Sequence, residues 1–224
     1  MSVLTCGCGN HSSTEEEDPS FSSARLAFQD NTYDIFAEHV LVIFKTEQDP
    51  ALRLQAMNLA KVLKHQQLAP IFLHEMKNPN WLVRYTAMQV LGDMKAQQAL
   101  PALVEALNSE DASIAAIQAL DKYRDIRLAK PLFQKLPNGN ESEQTEIVKV
   151  VQNIGDARLL PHLAKFLDSA APKGGVKKLT AEIIIAMCKA TNTAVPPRVT
   201  QIYDGLREKT VNDLPDLGLK MSDD

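Results

Sequence analysis

The sharpest chemistry in the sequence lies near its start, where Cys6, Cys8 and His11 form a Cys-x-Cys-x-x-His cluster. Thiolate and imidazole suit zinc, copper(I) or an iron–sulfur centre. The spacing is tight and no fourth ligand is obvious, so the competing reading is a pair of ordinary thiols on a flexible arm. Acting together, the three would make a tethered metal or redox handle. The third cysteine, Cys188, sits in an apolar helical run and is expected to be a core thiol. Three cysteines make no disulfide framework, which suits a reducing cytosol.

Catalytic constellations are not visible elsewhere. The chain has no Gly-rich phosphate loop, no His-Glu-x-x-His and no Gly-x-Ser-x-Gly. Its carboxylates are plentiful but scattered, and no pair stands out as an acid–base couple. The net charge of −4 offers no concentrated basic face for phosphates. The densest basic cluster, Lys173, Lys177 and Lys178, reads as a solvated helix face, so nucleic acid is not an expected partner. No apolar run approaches the roughly 18 residues of a membrane span, and membrane insertion is not expected either. The stretch Met1 to Cys6 is too short for a signal-peptide core.

The elements that must position any site are helical. Apolar residues make up 45% of the chain but aromatics only 5%, so Ala, Leu, Val and Ile must fill the interior, as in closely packed helices. An internal repeat organises them. Pro70, Pro101, Pro131 and Pro161 are spaced by 31, 30 and 30 residues. Fourteen residues before each stand Ala56, Ala87, Ile117 and Ile147. Eleven before stand Leu59, Val90, Leu120 and Val150, and two after stand Phe72, Leu103, Phe133 and Leu163. The first two columns are three residues apart, the spacing of one helix face.

Each unit therefore predicts a first helix, such as Leu82 to Asp93, and a second, such as Ala99 to Leu107. Gly92 and Gly155 stand where a left-handed residue can close the first helix. The proline opens the second, where its missing N–H costs nothing. Helix pairs this short are stable only when stacked on neighbours, which predicts an all-α fold, an α-solenoid or α-α superhelix of antiparallel helix pairs. The expected organisation is a flexible acidic arm over 1–24, with Glu15 to Asp18 at its centre, then a solenoid over 25–208 and a polar tail over 209–224. Within the solenoid, a capping helix spans 33–46. Four repeats cover about 49–78, 79–109, 110–139 and 140–170, and a capping pair covers 175–208.

The second unit reads Asn78-Pro79-Asn80-Trp81-Leu82-Val83-Arg84-Tyr85-Thr86-Ala87-Met88-Gln89-Val90-Leu91-Gly92-Asp93. Its Val-Arg, the Ala that follows and its Leu-Gly resemble the HEAT-like repeats of phycobilisome lyases, and Leu52-Arg53 with Ala56 echo it one unit earlier. In the third and fourth units the arginine column holds Ile114 and Gln144. The resemblance covers about residues 49–169. It implies either an adaptor or assembly factor that docks another protein, or a bilin lyase subunit or chromophore-detaching factor acting on phycobiliproteins.

Candidate contact residues follow from the repeat. Trp81, the only tryptophan, is expected to pack between adjacent repeats, with an exposed partner anchor as the alternative. Arg84 and Arg53 are expected to pair with acidic groups of a neighbouring unit. Four residues past each proline come His74, Glu105, Lys135 and Lys165, and His162 follows the last proline directly. This polar row, on second helices that line the concave side of a solenoid, is the candidate recognition strip, against the plainer reading of a solvated face. The expected function is a cytoplasmic, non-enzymatic scaffold for a protein partner. A third reading is a metallocofactor maturation helper using Cys6, Cys8 and His11.

Overall fold

The computed structural model describes residues 33–46, 49–63 and 66–212. Cys6, Cys8 and His11, the acidic arm and residues 213–224 lie outside the described residues. All regular structure among the described residues is helical. Eleven α-helices occur in chain order: α1 (Tyr33–Thr46), α2 (Pro50–Leu63), α3 (Ala69–Glu75), α4 (Trp81–Met94), α5 (Leu100–Ala106), α6 (Ser113–Asp121), α7 (Ala129–Lys135), α8 (Glu141–Ile154), α9 (Leu160–Asp168), α10 (Gly174–Ala190) and α11 (Pro197–Asn212). The fold is an all-α solenoid. No helix among them is long and apolar enough to cross a membrane.

The first helices α2, α4, α6, α8 and α10 pack side by side in one layer. The short second helices α3, α5 and α9 each lie against the first helix of the next unit. One seam of buried side chains runs through the array, including Ala56, Met57, Ala87, Leu91, Ala116, Leu120, Ile147 and Val151. At one end α1 adds Val40, Ile43 and Phe44, whose ring meets Phe72 edge-on at 5.9 Å. At the other, α11 packs on α10. Cys188 is buried there, a thiol within the core.

Local chemistry starts and stops these helices. Asn80 caps α4 by accepting from the Leu82 N–H (2.9 Å). Asn140 and Glu143 form a reciprocal capping box at the start of α8. A 3-10 turn leads into each second helix, at Gln66–Leu68, Gln97–Ala99, Ile126–Leu128 and Ala157–Leu159. Asp125 and Asp156 cap the last two turns through the amides of Arg127 and Arg158, and also clamp those arginines' guanidinium groups. The Arg158 hydrogen bonds hold the Asp156 carboxyl down at about 2.

The 3-10 turns give the true register, and it departs from the proline register in unit three. Ala56, Ala87, Ala116 and Ile147 are equivalent, with steps of 31, 29 and 31 residues. Two residues are missing from the link between α5 and α6, and α6 itself is only nine residues long, starting three places later and ending two places earlier in the register than α4, whereas α2, α4 and α8 have fourteen. Pro131 then stands one place deeper in its helix than Pro70, Pro101 and Pro161, still within the opening turn. Lys130 takes the proline's usual place. The core column two past the proline is consequently Phe72, Leu103, Leu132 and Leu163, all fully buried. Phe133, expected there, is turned out of it and only half-buried. In the arginine column the third member is likewise Ser113, not Ile114.

A second correction concerns the helix ends. Gly155 closes α8 with φ 71°, as expected, but Gly92 lies inside α4. The residues equivalent to Gly155 are Lys95 (φ 51°), which closes α4, and Arg124 (φ 50°), three residues past the end of α6. Gly92 serves close packing: a Cβ there would stand 2.7 Å from the Ala119 carbonyl oxygen and 2.9 Å from its Cα on α6.

Candidate docking cleft on the second helices

The outward turn of Phe133 builds the most developed surface feature. Leu132 already fills the core slot, so the next residue on α7 points about 100° away around the helix. There its ring stacks on His162 of α9, with centroids 5.1 Å apart and planes 29° from parallel. The pair forms a shared wall between two hollows. One, of about 260 Å³, is lined by Leu136, Pro137, Lys165, Phe166 and Ser169 as well as the stacked pair. The other, of about 490 Å³, adds Ile126, Arg127, Lys130, Gln134 and Leu159. Spaces of this size hold one or a few side chains rather than a folded surface.

Sequence reasoning found His162 and Lys165 but placed Phe133 in the core and overlooked Lys130. The signal was present: Lys130-Pro131 stands where the other units read Ala-Pro or Leu-Pro, which marks the slip of the proline by one residue.

The polar row is corrected in the same way. His74, Glu105 and Lys165 are exposed at equivalent positions, and the unit-three member is exposed Gln134. Lys135 sits one place on and is mostly buried, with its ammonium 3.1 Å from Glu143. Burial works against the Glu143 carboxylate. Hydrogen bonds from the Ser113 hydroxyl, the Asn140 amide and Lys135 outweigh it and hold Glu143 below the usual range. The residue equivalent to Lys135 in unit one is Glu75, buried and paired with Arg53 at 2.5 Å.

Arg84 is engaged internally. Its guanidinium donates to the Asn78 and Pro79 carbonyls, both at 2.9 Å, and pairs with Asp111 in the turn before α6. Arg84–Asp111 and Ser113–Glu143 thus join neighbouring units along this edge, whereas Arg53, expected to do the same, pairs with Glu75 inside its own unit. Near Arg84 a hollow of about 470 Å³ lies between α3 and α5, with Glu105 and Asp111 in its lining.

Trp81 does not pack between repeats. It is 66% exposed at the start of α4, beside exposed Leu82 and Tyr85. The equivalent positions at the start of α2 and α8, Pro50 and Glu141, are exposed as well, so this place in the repeat faces outward in every unit. Tyr85 leans on α6 by donating to Gln118 Oε1 (3.1 Å). Among the described residues, no three His, Cys, Asp or Glu side chains are grouped to hold a metal ion.

No curated protein matches the chain. Residues 37–121, from within α1 to the end of α6, match the family model for HEAT repeats, and this match, with the helical array it runs through, supports reading the molecule as a HEAT-repeat protein.

Proposed function

We propose that the protein is a non-enzymatic docking scaffold that holds a partner protein along the exposed face of its second helices. HEAT repeats generally mediate protein–protein interaction, which supports this class of function. The observation that carries the reading is the half-exposed Phe133–His162 stack, an aromatic feature spanning two helices with a hollow on either side. Aromatic side chains set beside pockets are the usual anchors of protein interfaces.

The test is affinity purification from the source cell with wild-type protein and with Phe133→Ala, read by quantitative mass spectrometry. The wild type retains a specific partner and Phe133→Ala loses most of it, while both keep the same helical circular dichroism. Equal recovery by the two proteins would remove the cleft from the interface. Addition of phycocyanobilin provides a further check. A change in its absorbance on mixing would shift the reading to the bilin-handling class that the repeat resemblance implies.

A further inference from the structure

Cations border the cleft between α7 and α9, and among the described residues no carboxylate lines either of its hollows. Lys130 and Arg127 stand at the larger hollow, and Lys165 at the smaller. Four acidic groups of the surrounding elements are already engaged, Asp125 with Arg127, Asp156 with Arg158, Glu143 with Lys135 and Asp168 with Arg198, and exposed Glu141 at the start of α8 lines neither hollow. Lys130 and Lys165 are exposed and make no ion pair among the described residues. The hollow between α3 and α5 differs, because Glu105 and Asp111 share its lining with Lys77 and Arg84.

Between these cations the surface is apolar, with Leu136 and Phe166 on one side of the stack and Ile126 and Leu159 on the other. A ligand that fits must offer negative charge to the lysines and a flat apolar group to the stack. The hollows are too small for a folded surface, which leaves an extended segment. We propose that this cleft takes an acidic peptide segment of a partner protein, with an aromatic side chain lying against Phe133 and His162 and carboxylates reaching Lys130 and Lys165. The proposal rests on the docking reading above and specifies the chemistry of its partner. Charge complementarity selects the acidic segment, and aromatic stacking fixes its register.

The probe is a fluorescein-labelled twelve-residue peptide with a central Phe flanked by Glu and Asp, titrated with the full chain and read by anisotropy. Binding should weaken at least tenfold in the double variant Lys130→Glu, Lys165→Glu, and several-fold in Phe133→Leu, which keeps bulk without stacking. It should also weaken as salt rises, since exposed charges are screened. A lysine-flanked version of the peptide that binds as well would overturn the proposal, as would a double variant with unchanged affinity. A labelled poly(U) oligonucleotide that binds more tightly than the peptide would also overturn it, because a stacking, cationic cleft then serves a nucleic acid. The chain's own acidic run is the remaining occupant. If neutralising it in the full chain (Glu15→Gln, Glu16→Gln, Glu17→Gln, Asp18→Asn) raises peptide affinity tenfold, the cleft belongs to that run and the partner assignment fails. Should no acidic peptide bind while Phe133→Ala still empties the affinity purification, this inference falls and the docking reading stands.

Discussion

At the end of α3 the buried Glu75 reaches back to Arg53 on α2; at the end of α7 the equivalent residue is Lys135, which reaches forward to Glu143 on α8. The same place in the repeat thus carries opposite charges in the first and third units, and its partner lies on opposite sides. The surfaces above differ to match. Units one and two keep acidic groups in their hollow, whereas units three and four leave Lys130 and Lys165 uncompensated around an aromatic stack. A two-residue deletion and a proline displaced by one separate the halves. The repeat backbone tolerates both, and the cost of the change appears on the surface rather than in the seam. A solenoid can therefore vary its binding face unit by unit while its core stays uniform.

The comparison breaks most visibly where α4 meets α6. Gly92 lets those helices approach until a Cβ would strike the Ala119 backbone, and its counterpart Gln152 on α8 is exposed. Gly92→Val should cost about 3 kcal/mol in urea unfolding, because neither helix can yield without parting the layer. Gln152→Val should change stability by less than about 0.5 kcal/mol. Similar losses in both would show that the close approach is not special to the first half.

The charge inversion comes next. Arg53→Met strands the buried Glu75, whose remaining contacts are Asn78 at 2.8 Å and His74 at 3.5 Å, and should cost about 3 kcal/mol. Lys135→Met leaves Glu143 with donors from Ser113 and Asn140, so about 1 kcal/mol is expected. Reversal of that order would mean that Lys135, not Arg53, closes the more demanding pair.

Tyr123 marks the join between the halves. Its hydroxyl donates to the Ala96 carbonyl (2.9 Å) and lies 3.2 Å from that of Leu91, and burial pushes its ionisation up to about 12 from 10. The folded state therefore holds this proton more tightly than the unfolded chain. The resulting stability is complete below pH about 10 and falls as pH rises toward about 12. Tyr123→Phe should cost about 1 kcal/mol at neutral pH. It should also flatten that alkaline decline in a series of urea melts.

The array itself was legible in the sequence because its signal is redundant. Ala116 and Ile117 are both buried, as are Ala119 and Leu120, so a register wrong by one residue still filled every column with apolar side chains. That redundancy revealed the fold and hid the site. Phe133 looked like core because Leu132 beside it is core, and the same slip drew Lys135 into a row that belongs to Gln134. Trp81 was misread for another reason. It stands at the first position of its helix, where Pro50 and Glu141 in the equivalent places are exposed too, so its size suggested burial where the repeat offers none.

The smallest effects test the register itself. If Lys95 and Gly155 are one column, the left-handed backbone at each closes its helix in the same way, and only the side chain differs. A non-glycine residue in that region crowds its Cβ against the following carbonyl, at a cost of roughly 1–2 kcal/mol that glycine avoids. Lys95→Gly should then stabilise the protein by about 0.5–1 kcal/mol, even after the unfolded chain's gain in freedom is subtracted. Gly155→Ala should destabilise by a similar amount. Thermal unfolding of the two variants provides a matched pair, since the substitutions run in opposite directions at equivalent places. Were Lys95→Gly instead to lower stability, Lys95 would not be an ordinary closing residue, and units two and four would not end their first helices in the same way.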